Sequence, residues 1–217
     1  MSESTERIRD AERSRETILR AAEKLFAERG FDGASLSQIA TAAGLSRGAP
    51  SYFFGSKEQL YRAVLEQVFK DREEATRRAC EPLIAWANSE KASVQTALTK
   101  AVDGYFDFLL KRPSFLKLIQ REEMGDDAYL KDVPRESRAI EDAFTAVREA
   151  RRKRGLKPFD VQDAVFLFVS LTFFPLAQHS TFMASLGQDL NDKAARRKHV
   201  RLAVDQLLHL IGSGKSP

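Results

Sequence analysis

Apolar residues recur every three to four positions along most of this chain and nowhere alternate one on, one off, so the pattern predicts helices and no strands. Ile18, Ala21, Ala22, Leu25 and Phe26 make the first stripe, which opens near Arg15 and meets a left-handed stop at Gly30. Leu36, Ile39, Ala40 and Ala43 make a second and shorter one. It begins with Ser35-x-x-Gln38, a capping box whose two side chains satisfy free backbone amides, and it ends at Gly44. A third helix is expected to start at Ser46 and to run no further than Phe53, because Gly55 breaks it. Ser56 and Gln59 repeat the capping box at the head of a longer helix through Leu60, Val64 and Val68.

The pattern lapses at both ends of this region. Residues 1–13 are charged and without apolar periodicity, which predicts a mobile arm. Arg7, Arg9 and Arg13 there could reach phosphates, although Glu3, Glu6, Asp10 and Glu12 dilute their charge. Residues 71–79, DREEATRRA, also lack a stripe and read as a solvated or domain-bridging helix, with Pro82 interrupting or kinking it. The boundary between a small N-terminal domain, 14–70, and a larger one, 71–212, is therefore placed here. Beyond it, Val94 to Leu109, Phe115 to Ile119, Ile140 to Val147, the very apolar run after Asp160 and the stripe Val200 to Ile211 predict further helices, with a loop around Gly125 to Pro134. The fold class expected is all-α: a three-helix N-terminal domain followed by a helical C-terminal one. Arg148, Arg151, Arg152, Lys153 and Arg154 crowd the end of one helix, where cations complement the helix dipole without needing nucleic acid.

Composition narrows the function only a little. The 217 residues carry a net charge of +4, a mild excess that suits an anionic partner and many other roles. One cysteine, Cys80, allows neither an internal disulfide nor a cysteine zinc site. His179, His199 and His209 lack ligand-like spacing, so no metal and no cofactor is expected. There is no Gly-rich phosphate loop, no histidine–carboxylate cluster and no convincing nucleophile, so no catalytic residue is assigned. The start of the chain lacks the apolar core of a signal peptide, and Val165–Leu176 is too short to span a bilayer; a cytoplasmic protein without membrane contact is expected.

The segment 35–57 carries the chemistry. Two short helices joined by a glycine turn present a helix start outward, a geometry suited to the major groove of DNA. Acidic residues are absent from Ala34 through Lys57, in a chain where charged residues make up 30%. Arg47 can make paired hydrogen bonds to guanine, and Gly48 and Ala49 are small enough for close backbone approach. Ser35, Ser46, Tyr52 and Lys57 stand at helix starts or along the flank, where phosphates are held.

Arg15-Glu16-x-Ile18-Leu19, Ala22-x-x-Leu25-Phe26 and Gly30-Phe31, then Ser35-x-x-x-Ile39-Ala40-x-x-Ala43-Gly44-Leu45-Ser46-Arg47-Gly48 and Phe53-Phe54-x-Ser56-Lys57-x-x-Leu60, together resemble the DNA-binding domain of TetR-family transcriptional regulators. The resemblance covers about residues 15–65. It implies phosphate contacts from Ser35, Tyr52 and Lys57, with Arg47 at the family's usual Lys or Arg. Ala49-Pro50-Ser51 departs from the family's Thr-Leu-Tyr, so its base preferences do not transfer to this chain. The resemblance further implies a homodimer on a near-palindromic operator in double-stranded DNA, paired through the last two long helices. The stripe Val200, Val204, Leu207, Leu208 and Ile211 is the expected interface. It also implies a small-molecule effector that releases a repressor from its operator. Tyr105, Phe144, Phe166 and Phe173 supply aromatic walls, and Gln178 and His179 after Pro175 supply polar groups, for the expected pocket. A dimeric DNA-binding protein without an effector, its aromatic residues forming plain core, is the alternative.

Overall fold

The structure, a computed structural model, describes residues 3–89, 93–125, 129 and 138–213. Among these every regular element is a helix: α1 (Glu3–Gly33), α2 (Leu36–Ala43), α3 (Ala49–Phe54), α4 (Lys57–Ser89), α5 (Val94–Lys111), α6 (Pro113–Met124), α7 (Arg138–Lys153), α8 (Val161–Ala177) and α9 (Lys193–Ser213), with a π-helical turn at His179–Met183. No described helix is long and apolar enough to cross a membrane. The loop expected near 125–134 lies outside the described residues apart from Gly125 and Tyr129.

Two helices run further than the sequence pattern predicts. The supposed arm is the first part of α1, which starts at Glu3. Once the buried turns around Ile18 and Phe26 nucleate the helix, each earlier residue adds a hydrogen bond at little cost. Pairs such as Asp10–Arg13 and Glu16–Arg20 line its exposed side. Likewise α4 passes through Pro82 without ending. Proline lacks the amide that would reach the Arg78 carbonyl, yet Cys80 and Leu83 on either side are buried and hold the helix in place.

The chain divides into two compact units. The first contains α1–α3, α4 up to Lys70, and α6; the second contains α4 from Asp71, α5 and α7–α9. The inclusion of α6 in the first unit departs from a simple split near residue 70. Its inward face, Phe115, Leu116 and Leu118, is buried, and α6 packs on α1.

In the first unit Ile18, Phe26, Ile39, Leu60, Tyr61 and Leu65 form the core. In the second, Leu98, Val102, Phe106 and Leu109 of α5 meet α8 and α9. Arg196 of α9 bridges Asp103 and Asp107 of α5 at 2.8 and 2.6 Å. The His199 ring pairs with the Leu171 carbonyl of α8 at 2.8 Å. Gly104 lets α5 lie close on α4, since a Cβ there would stand 3.2 Å from that of Ala79.

Candidate nucleic-acid interface

Local chemistry sets the ends of α2. The Gln38 amide donates to Ser35 Oγ at 3.2 Å, and the Ser35 amide donates to Gln38 Oε1 at 3.0 Å. Gly44 closes the helix in the left-handed conformation, φ 67 and ψ 28, and its amide donates to Ala40 and Thr41 carbonyls. Ile39 and Ala40 are buried while Thr41 and Ala42 face solvent, so α2 is a short strut with one wet face.

The helix expected from Ser46 starts three residues later. A cap at Ser46 would require the amide of residue 50 to reach its carbonyl, and Pro50 has none. Instead the Ala49 amide donates to the Ser46 carbonyl at 2.9 Å, and the Tyr52 amide donates to Gly48 at 2.9 Å, which makes Gly48 the helix cap. Pro50 thus occupies the first turn, where its missing amide would have had no partner anyway. Ser46, Arg47 and Gly48 form an exposed turn leading into α3. Arg47 belongs to that turn and is not the first helical residue. Tyr52 projects with 84% of its surface exposed, while Pro50 anchors the opposite side of the helix in the core.

At α4 the second capping box forms as expected: the Gln59 amide donates to Ser56 Oγ at 3.2 Å, and the Ser56 amide to Gln59 Oε1 at 2.9 Å. Lys57 follows at once, with its Nζ 4.3 Å from the centre of the Phe31 ring. Ser35, Ser46, Arg47, Gly48 and Tyr52 are all exposed, and Ala49 and Lys57 half-buried, on an acid-free stretch held by two capping boxes. Such a surface offers hydroxyl, guanidinium, ammonium and phenol donors to phosphates and base edges.

Two residues absent from the sequence reading brace this surface. Arg121 of α6 donates to the carbonyls of Ala27 and Glu28, at 3.2 and 2.9 Å, just before Gly30 turns the chain out of helical geometry. A cation on free carbonyls at a helix end complements the helix dipole. Glu122 beside it is buried and accepts a hydrogen bond from the Tyr61 hydroxyl. Its position was legible in principle, since residues 115, 118 and 122 fall on one helical face.

In the second unit the residues expected to line an effector pocket do not gather. Tyr105 and Phe144 are buried and pack on Phe168, with ring centres 5.6 and 6.0 Å away. Phe166 points outward and is 74% exposed, and Phe173 is half-buried. Gln178 and His179 lie near the surface, where His179 Nε2 pairs with Asp189 and Asn191 at 3.0 and 3.1 Å. A cleft of about 630 Å³ opens between α4 and α5, bordered by Arg78, Pro82, Lys100, Gly104 and Phe108, and by none of those six.

The expected dimer stripe is this chain's own core. Val200, Val204, Leu207 and Ile211 are buried and Leu208 half-buried, with α9 packed on α5 and α8. Helical periodicity marks a face that will be covered; it carries no information about which surface covers it. The exposed large apolar residues on these helices are Phe166 and Phe174 of α8 and Leu202 of α9.

Comparison with known proteins agrees with this geometry. Residues 18–64 match the family of bacterial regulatory proteins, tetR family, and residues 95–207 match the tetracyclin repressor-like C-terminal domain. The HTH-type transcriptional repressor NicS of Pseudomonas putida is 28% identical over 195 residues, 88% of each chain. The HTH-type transcriptional regulator RutR of Escherichia coli is 45% identical over 62 residues, 29% of each chain. A crystal structure of a TetR-family regulator from Mesorhizobium loti superimposes with a TM-score of 0.68, at 22% identity, over 93% of this chain and 98% of that one.

Proposed function

The chain belongs to the TetR family of bacterial regulatory proteins, a family of DNA-binding transcriptional regulators, and from that premise we propose that it is a homodimeric repressor released from a near-palindromic operator by a small molecule. Residues 14–70 read the DNA, and residues 71–212 hold the effector and the partner subunit. The observation that carries the reading is the exposed, acid-free turn Ser46–Arg47–Gly48 and the projecting Tyr52, fixed between two capping boxes. Arg47 reads bases from the turn, and Ser35, Ser46, Tyr52 and Lys57 hold phosphates, with Gly48 and Ala49 allowing close approach.

Dimerisation uses the outer faces of α8 and α9, where Phe166, Phe174 and Leu202 are exposed side chains that a second copy would cover. A two-fold dimer places its two reading turns about one DNA helical repeat, roughly 34–36 Å, apart. An effector that favours a mis-spaced arrangement weakens operator binding by the difference in its affinity for the two arrangements, about 1–3 kcal/mol. Because α4 contributes residues to both compact units, it is the covalent route for that change.

Selection of bound sequences from random double-stranded DNA tests the reading. A palindromic consensus with half-sites one turn apart is expected. An enriched site without two-fold symmetry would refute the dimer, and no enrichment would refute specific DNA recognition.

A further inference from the structure

A cavity of about 490 Å³ lies within the first unit, where the end of α1 meets α4 and α6. None of the residues assigned to DNA or to the effector lines it. Phe31, Tyr61 and Tyr129 do, and their ring centres stand 5.3, 4.8 and 5.2 Å apart in pairs, so they form one continuous aromatic wall. Glu122 lines the same cavity. At 7% exposure it is the most deeply buried charged residue among those described. Among the described residues only the Tyr61 hydroxyl donates to it, at Oε1.

A carboxylate removed from water needs donors on both oxygens and an opposite charge to offset its desolvation. The chain supplies Glu122 with one donor and leaves Oε2 to accept from whatever fills the cavity. Charge then selects the chemistry. Arg29 and Arg121 also border the cavity, but both are exposed. Nε and Nη2 of Arg121 are committed to the Ala27 and Glu28 carbonyls. Water screens exposed charges such as these, whereas a buried carboxylate acts through a low dielectric. Asp32 adds a second negative charge at the rim. Burial, then the charges of Glu58, Asp32 and Glu122, raise the Tyr129 hydroxyl above its ordinary 10.0, as an interior of net negative potential should. The aromatic wall already accepts an ammonium, since Lys57 Nζ lies 4.3 Å from the centre of Phe31. Rings beside a buried carboxylate suit an organic cation. An anion would face Glu122 at a loss, and a neutral molecule would leave its charge uncompensated.

We propose that this cavity is a binding site for an organic ammonium ion, a protonated amine whose N–H donates to Glu122 Oε2 and whose apolar body lies against Phe31, Tyr61 and Tyr129. The site belongs to the unit that carries the reading surface, and it stands whether or not an effector releases the protein from DNA.

The full chain is titrated at neutral pH with benzylamine, benzyl alcohol and benzoate, one ring with a cationic, a neutral and an anionic head, by calorimetry. Benzylamine is expected to bind at least about tenfold more tightly than either of the others. Glu122→Gln removes the charge but keeps an acceptor for Tyr61, and it should weaken benzylamine by about tenfold. Tyr129→Leu replaces a half-buried ring by an apolar chain, and it should weaken benzylamine by about threefold. Melting curves without ligand establish that each variant is folded; if Glu122→Gln is not, Tyr129→Leu decides alone. Benzyl alcohol or benzoate binding as tightly as benzylamine, benzylamine affinity indifferent to the folded variants, or no binding of benzylamine overturns the assignment.

Discussion

Replacing Tyr61 by phenylalanine removes a single oxygen from the heart of the first unit. The ring is 1% exposed and packs edge-on against Phe26, Phe31 and Tyr129, contacts that phenylalanine keeps. The hydroxyl donates to buried Glu122, so its loss strips a donor from a carboxylate of which only 7% is exposed. A hydrogen bond to a charged group contributes about 1.5–3 kcal/mol, and a buried acceptor deprived of its donor sits at the upper part of that range. If the 217 residues melt as one cooperative unit, their unfolding entropy is roughly 0.45 kcal/mol/K, and a loss of about 2 kcal/mol lowers the melting temperature by about 4 °C. Thermal denaturation followed by circular dichroism reads this directly. Glu122→Gln and the double variant complete a cycle whose coupling should exceed about 1 kcal/mol.

Alkaline pH gives a second reading of the same contact. Burial, then the hydrogen bond to Glu122 and its charge, raise Tyr61 far above its ordinary 10.0. A group whose protonated form is favoured by folding contributes stability that is complete below its unfolded pKa and is lost as pH rises beyond it. Wild-type stability should therefore fall above pH 10, and Tyr61→Phe should flatten that fall. A variant that melts within about 1 °C of wild type, and declines as steeply in alkali, would refute the contact's energetic role.

Other substitutions test the reading surface and the dimer. Arg47→Ala should cut discrimination between operator and random DNA by about 1–3 kcal/mol, measured by competition binding; undiminished discrimination removes it as a base reader. Lys57→Ala should weaken binding to all sequences and reduce the slope of log affinity against log salt by about 1, and an unaltered slope would end its phosphate role. Leu207→Asp puts a charge at a fully buried position and should destabilise the fold by more than about 3 kcal/mol in denaturant titrations. By contrast, the pair Phe166→Asp and Leu202→Asp should leave the fold intact and yield monomers in sedimentation. A doubly charged variant that remains dimeric places the interface elsewhere.

What could be read from the residues and what could not divide along a physical line. The chain by itself determined the features whose causes lie within a few residues. Ser35 with Gln38 and Ser56 with Gln59 announce capping boxes, Gly44 announces a left-handed close, and the absence of acids from Ala34 to Lys57 announces an anion-facing surface. Even the late start of α3 is written in Pro50, whose missing amide forbids a cap at Ser46. Tertiary structure decided everything that depends on which surface meets which. It carried α4 through Pro82 and brought α6 to α1, so that Arg121 and Glu122 brace the reading surface. It covered the stripe on α9 with the chain's own α5 and α8, leaving Phe166, Phe174 and Leu202 as the exposed large apolar residues of α8 and α9. It also left Arg72 and Glu73, in a stretch that reads as solvated or domain-bridging, half-buried. Caps and turns are short-range hydrogen-bond arithmetic, whereas the partner of an apolar or charged face is chosen by distant parts of the chain, which local periodicity does not encode.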